Sequence, residues 1–457
     1  MTSVAQQGVL FPGLLSRPIH ASFREPHSTS DGGALLLKAL DDSLGLTERV
    51  VGCLRDDRQP GKIRHECLEM VRQRVFGIAC GYEDANDAGR IAGDPLHKLL
   101  SSVEPGSDDD LASQPTLSRF ENSVGAIELY RMGDALCDAV VERHQRRLKS
   151  KKVKKITIDM DATVDPTHGM QQLSLFNGKY DTWCYLPLVG FLSFNNEPEQ
   201  YLFAAILRPG TSWTQGTIGI LRRIIDKIRD AFPKTKIQVR LDAGFAQPAV
   251  FKLLDEAKTT YWVAMAGNSV LQRLSAPLLK QAKKLYKEKK QTATLYGDGS
   301  YSARSWKKHK RRVVYKAEVL HYEGRSPKEQ VRFVITNAPQ TPRFVYHTYV
   351  QRGDSENRIK ELKNDLIMDR TSCSSFLANQ FRVLLAATAY VFFQELRLRA
   401  RRTSAAKWQV SRIRLQLFKI AAKVTGSVRR ISLSLSQNHP WSELWIRVAK
   451  SCGAVAL

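Results

Sequence analysis

Ile156-Thr157-Ile158-Asp159-Met160-Asp161 alternates apolar and polar side chains, the two-residue period of a strand whose faces differ. Extended runs from Trp183 to Phe194 and from Tyr201 to Leu207 follow it and complete a three-strand meander. Between Thr217 and Phe232 the period lengthens to that of a helix, with Ile218, Leu221, Ile224, Ile225 and Ile228 supplying the apolar positions. A strand from Lys236 to Asp242, a helix from Pro248 to Ala257 and a strand from Tyr261 to Ala266 come next. The order βββαβαβ places the chain in the α/β class.

Outward from this core, residues 1–150 read as a helical N-terminal DNA-binding region, although no clean helix-turn-helix stands out. Its best amphipathic segment runs from Lys62 to Cys80, where Gly81 ends it, and Thr116 starts another helix after an acidic loop at Ser107 to Asp110. Arg143 to Lys155 holds eight Lys or Arg in thirteen residues, which fits a solvated junction as well as a phosphate-tracking strip. Residues 151–267 form the first part of the core. Residues 268–340 read as a basic, β-rich insertion (TATLYGDGSYSARSW, RRVVYKAEVLHY, VRFVITNA), and residues 341–400 as the second part of the core. There a helix covers about Tyr346 to Leu366 and another runs from Phe376 to Arg399. Residues 401–457 read as a basic helical C-terminal region.

Lys and Arg number 70 against 45 Asp and Glu in 457 residues, a formal charge of +25 that predicts a polyanionic partner. The charge is grouped. Lys280 to Lys316 carries thirteen basic residues against Glu288 and Asp298, and Arg397 to Arg430 carries eleven with no acid. Clustered cations release condensed counterions on meeting phosphates, which favours nucleic acid. Seven scattered cysteines with no CxxC pair disfavour disulfides and structural zinc. The longest apolar run, Val383 to Phe393, is 11 residues, short of the roughly 18 to 20 a bilayer span needs. With no signal-like start, no membrane partner is expected, and the location expected is cytoplasmic, on the nucleoid.

Three acids stand where ligands bind open α/β sheets, at the carboxyl ends of strands. Asp161 ends the first strand, Asp242 ends KIQVRLD, and Glu356 lies on the helix after the insertion. Such carboxylates can converge on two divalent ions about 3.5 to 4 Å apart, Mg²⁺ by preference with Mn²⁺ able to substitute. Asp159 shares Asp161's strand face; Asp161 is preferred for its place at the strand end. Tyr349, Arg352, Glu356 and Lys363 fall within about 60° of one another on a regular helix, a polar face of phosphate-binding donors around an acid. A solvated face with an ordinary Glu356–Lys360 pair is the competing reading. Gly353 leaves open whether the helix is continuous or starts near Asp354.

The spacing Tyr349, Arg352, Glu356, Lys363 resembles the YREK signature of DDE transposases from bacterial insertion sequences, and the surrounding text resembles insertion-sequence family 1380. The matching stretches are GYEDANDAGRIAGDP (81–95), QPTLSRFEN (114–122), DATVDPTHGMQQLSLFNGKYDTWCYLPL (161–188), LDAGFAQP (241–248) and RGDSENRIKELKNDLIMDRTSCSSFLANQFR (352–382). The resemblance covers about residues 60 to 400 and implies an RNase H-like catalytic core interrupted by a β-rich insertion. It also implies Asp161, Asp242 and Glu356 as the catalytic, metal-binding triad, with Tyr349, Arg352 and Lys363 holding phosphates. The reaction implied is Mg²⁺-dependent cut-and-paste transposition: hydrolysis at terminal inverted repeats and joining of the 3′-hydroxyl to target DNA. The partners implied are double-stranded DNA, as transposon ends and target, and a second copy of the chain in a synaptic homodimer.

Trp306 in SYSARSWKKHKRR is an aromatic among cations and has two readings, a base-stacking DNA contact or a packing residue of the insertion. His168 in DPTHG reads as a loop histidine bonded to backbone. Two rival functions fit the same residues: a nuclease of the same core that cuts without joining, and a catalytically silent DNA-binding regulator.

Overall fold

The computed structural model of the chain describes residues 8–12, 16–148, 152–212, 216–306 and 309–455. Residues 149–151 of the basic strip and 307–308 beside Trp306 therefore lie outside the described residues. The chain divides into two compact units, one built from Leu46–Asp57 and Arg119–Gln394, the other from Met1–Gly45, Arg58–Ser118 and Glu395–Leu457.

The larger unit carries every expected site residue. The strands of its central sheet are β1 (Lys155–Ala162), β2 (Leu188–Phe194), β3 (Tyr201–Ile206), β4 (Lys236–Leu241), β5 (Thr260–Met265), β6 (Ala293–Tyr301), β7 (Arg311–Leu320) and β8 (Lys328–Thr336). Its helices are α1 (Ala126–Leu148), α2 (Thr217–Ala231), α3 (Pro248–Glu256), α4 (Ser269–Lys289), α5 (Pro342–Val350), α6 (Gly353–Lys360) and the long α7 (Phe376–Arg399), within which the unit ends. One eight-stranded sheet takes the order β6-β7-β8-β5-β4-β1-β2-β3. The meander β1-β2-β3 is antiparallel, while β4 runs parallel to β1 and β5 parallel to β4. The elements thus come in the expected order βββαβαβ, because each apolar period has the length and spacing its element requires: α2 buries Ile220, Leu221, Ile224, Ile225 and Ile228 along one stripe.

Residues 268–340 are not β-structure throughout. The segment opens with a 21-residue helix, α4, whose N-cap Asn268 accepts from the amides of Val270 and Leu271. Its lysine-rich outer face and internal Pro277 hide it from a strand-oriented reading. The strands that follow join the central sheet. β8 pairs antiparallel with β5, Trp262 opposite Thr336, so the central sheet continues through the segment. Gly297 and Gly299 of β6 face Leu278 and Leu274 of α4, whereas Tyr296 faces Tyr346 and His347 of α5. Since neighbours along a strand point to opposite faces, α4 and α5 cover opposite faces here. Trp262, Val314, Val334, Val345 and Tyr346 form the core that seats α5.

β1 is buried on both faces, polar side included: Thr157, Asp159 and Asp161 are 5%, 0% and 9% exposed. α7 is long and apolar enough to cross a bilayer, and 78% of its apolar window is buried within the protein.

In the smaller unit, Cys67–Cys80 is helical and ends at Gly81 in the left-handed region, φ 94°. It starts later than the periodicity suggests because Pro60–Lys62 makes a separate 3-10 turn and Ile63 is extended. The C-terminal region is not wholly helical: Ala422–Ser427 and Arg430–Leu435 form an antiparallel hairpin that also pairs with Ser28–Thr29. Asp31, Cys80 and His97 lie together and buried. Asp31 holds His97 Nε2 at 2.9 Å and Lys419 Nζ at 2.7 Å, which balances its charge within the protein, while burial pushes the Cys80 thiol up.

Gly190 of β2 sits under the ring of Phe203 on β3, and a Cβ there would lie 2.5 Å from the ring. Gly190→Ala is expected to cost about 1–3 kcal/mol through overpacking, read as a lower urea midpoint with an unchanged m-value.

Candidate active site

Asp159 and Asp161 leave the same face of β1, and their partners separate their roles. Asp159 is fully buried and takes Arg240, its register neighbour on β4, in a bidentate pair: Nε to Oδ1 at 2.7 Å and Nη2 to Oδ2 at 2.6 Å. Gln200 donates to Oδ2 at 3.0 Å. Arg240 also donates to the Thr348 carbonyl of α5 at 3.1 Å, so the pair ties β1 and β4 to the helix that carries Tyr349. Asp159 is spent on structure. Asp161, two residues on at the strand end, accepts from Arg352 Nη1 at 2.6 Å and from the Ala162 amide at 3.0 Å. Burial, with Asp242 adding like charge, pushes its carboxyl up to about 6 against the pull of Arg352.

Asp242 follows β4 and caps the turn Ala243–Phe245 by accepting from the Gly244 amide at 2.9 Å. Glu356 lies in the first turn of α6, largely exposed, with Oε1 3.8 Å from Arg352 Nη2. One guanidinium therefore spans the strand-end Asp161 and the helix-borne Glu356. Tyr349 lies in the last turn of α5 beside it, its ring centroid 6.0 Å from the Arg352 Cζ. Burial pushes the Tyr349 hydroxyl up.

The segment from Tyr346 to Leu366 is not one continuous helix: it breaks where Gly353 left its continuity open, and changes pitch again further on. Residues 351–352 form a tight turn, with the Arg352 amide bonded to the Tyr349 carbonyl and Ser355 to Arg352. Glu361–Asp365 then widens into a π-helix. Overwinding followed by underwinding removes the constant 100° step that places all four signature residues on one face. Tyr349, Arg352 and Glu356 still converge. Lys363 does not join them: its ammonium donates to the Val164 carbonyl at 2.7 Å and lies 3.4 Å from Asp369, bracing the loop that follows Asp161.

Of the two readings of Trp306, its surroundings favour the packing residue. It is 7% exposed and lies in T-shaped contact with Phe251 and Tyr301, at 5.3 and 6.2 Å between ring centroids. His168 is exposed in its loop.

Two buried groups near the acids escape a reading of the sequence. Asp165 accepts from Thr371 at 2.9 Å and burial pushes its carboxyl up to about 8. Arg208 donates to the Leu186 carbonyl at 2.9 Å, and burial pulls its guanidinium down to about 10 against the charge of Asp242. Asp165 lies in the quoted stretch 161–188 without a role assigned there, and Arg208 lies outside every quoted stretch. The only signal is their place beside strand ends, in DATVDP and ILRPG.

Removing Asp159 strands Arg240 in the interior. Asp159→Ala is expected to cost about 3–5 kcal/mol, the range for breaking a buried pair from one side, whereas Asp161→Asn leaves the melting temperature within a few degrees; chemical and thermal unfolding of both variants check the contrast.

No curated protein matches the chain. Among solved structures it is similar to the piggyBac transposase seen by electron cryomicroscopy in a synaptic complex with hairpin DNA, with a TM-score of 0.43 and 9% identity over 85% of this chain and 79% of that one. The family described as transposase DDE domain group 1 matches residues 11–454. With nearly the whole length matched, the chain belongs to the transposase DDE domain group 1 family and is a DNA transposase, an enzyme that acts on DNA.

Proposed function

We propose that the protein cuts and pastes a bacterial insertion sequence, as a YREK-type transposase of insertion-sequence family 1380, with Asp161, Asp242 and Glu356 as its catalytic carboxylates. One observation carries this reading: a single guanidinium, Arg352, links Asp161 at a strand end to Glu356 on a helix, while Asp242 on the adjacent strand is close enough to raise Asp161. The meander β1-β2-β3 with β4 and β5 added in parallel supports an RNase H-like core, with residues 268–340 inserted before the Glu-bearing helix. The N-terminal and C-terminal regions, 1–150 and 401–457, contribute DNA contacts through their grouped charge.

The donor set fits a divalent cation. Two acids share a partly buried place whose like charges lift one of them, and all three donors are hard oxygens. Asp161, Asp242 and Glu356 would hold Mg²⁺, two ions in the reading favoured here, with Mn²⁺ as substitute. When bound, the ions would activate the attacking oxygen and stabilise the leaving one. The chain's own residues do the rest. Arg352 grips a phosphate beside the scissile bond, Tyr349 orients that guanidinium, and Lys363 steadies the loop after Asp161. Water attacks phosphorus and the bond to the 3′-oxygen breaks, leaving a 3′-hydroxyl that then displaces a 3′-oxygen in target DNA. A synaptic homodimer on double-stranded ends, in the bacterial cytoplasm, completes the reading.

A labelled duplex bearing the element's own end, incubated with Mg²⁺ or EDTA, tests it. Asp242→Asn or Glu356→Gln is expected to lower end cleavage by at least a thousandfold while end binding stays within a few-fold; equal loss of both refutes the assignment. Pre-cleaved ends joined to target separate a transposase from a cutting-only nuclease. Because the Asp161 carboxyl sits near 6, above its ordinary value, it is ionised above that pH and takes up a proton below it. The apparent Mg²⁺ affinity is expected to be full above about pH 7 and to weaken by roughly tenfold per unit below about pH 6, measured as the Mg²⁺ midpoint of cleavage.

A further inference from the structure

Arg352 occupies an unfinished position. Its Nη1 holds Asp161 at 2.6 Å, its Nη2 stands 3.8 Å from Glu356, beyond hydrogen-bond reach, and its Nε is buried without an acceptor. A guanidinium that is largely withdrawn from water normally satisfies its fork of donors. Here only part of the fork is used, although the side chain is 14% exposed. Its backbone stands in the tight turn between α5 and α6, and the following residue, Gly353, has open space where a Cβ would be.

Charge adds a second constraint. Three carboxylates without a cation repel one another, and Arg352 is the cation that reaches two of them. If two divalent ions bound with Arg352 still in place, the cluster would carry two positive charges in surplus within a partly buried site. A phosphodiester offers the missing negative charge and the paired oxygens that a guanidinium binds bidentately. The same side chain cannot hold Asp161 Oδ2 and a phosphate with the same nitrogen.

We infer that Arg352 is a resident counter-charge that keeps Asp161 from divalent cations until a DNA phosphate draws its guanidinium away, so that metal and DNA backbone bind cooperatively. The inference rests on the reading of Asp161, Asp242 and Glu356 as cation ligands and adds an order to their loading. Cleavage-competent charge is thereby assembled only on DNA. By linkage the effect is reciprocal: divalent cation tightens the grip on the backbone by the same factor by which backbone tightens cation binding.

The test measures Mn²⁺ bound to the full-length protein at pH 8, by the loss of the free-ion electron paramagnetic resonance signal, with and without a short duplex of unrelated sequence. For the wild type the duplex is expected to tighten Mn²⁺ binding at least tenfold. Arg352→Gln is expected to bind Mn²⁺ at least tenfold more tightly than the wild type without DNA, and to respond to the duplex by less than threefold. Arg352→Lys, which keeps the charge, should stay near the wild type without DNA. Weaker or unchanged Mn²⁺ binding in Arg352→Gln, with a folded circular dichroism spectrum, overturns the inference and makes Arg352 a fixed support for Asp161. Asp161→Asn and Asp242→Asn report on the underlying reading separately: if neither weakens Mn²⁺ binding, the ligand assignment itself fails, whatever Arg352 does.

Discussion

Burying Thr157, Asp159 and Asp161 along one face of a central strand costs several kcal/mol for each charge left without a partner. The larger unit is arranged around meeting that cost. Thr157 donates to Gln238 of β4 at 3.2 Å, Asp159 is closed off by Arg240 and Gln200, and Asp161 takes a side-chain partner, Arg352, from outside the sheet. The Asp159–Arg240 pair is the keystone, because the same guanidinium also holds the α5 backbone at Thr348. It fixes where Tyr349 and Arg352 can stand.

Two aspartates of one strand thus have opposite fates for a geometric reason. Asp159 lies opposite Arg240 in the parallel register, where a neighbour can supply a full set of donors. Asp161 lies at the end of that register, past the last β4 residue paired with β1, Leu241. A strand end runs out of neighbours before it runs out of side chains. What is left is a carboxylate with spare acceptor capacity at the edge of solvent, which is the condition for binding something else.

The order of elements along the core and helix α2 were legible because their periods are long and clean, and most bounds fall within two residues of the structure. The common side taken by Tyr349, Arg352 and Glu356 was legible from spacing, and the place of Asp161 at a strand end from the alternation of β1. The rest depended on partners remote in sequence. Asp159 could be told from Asp161 only by Arg240, 81 residues away. Trp306 could be placed only by Phe251 and Tyr301. Lys363 misled because helical arithmetic assumes one pitch, whereas the chain tightens after Tyr349 and widens at Glu361–Asp365. Helix α4 was hidden by Pro277 and by lysines that suit any solvated surface.

The pairing of β8 with β5 makes residues 268–340 something other than a detachable appendage. Without them, β5 would become a naked border of the sheet, offering the unpaired amides and carbonyls of Thr260–Met265 beside buried Trp262 and Val263. Such a border recruits foreign strands. The segment therefore serves as a molecular hem, and any shortening of this chain toward a minimal catalytic fragment would trade an intact domain for a self-associating one.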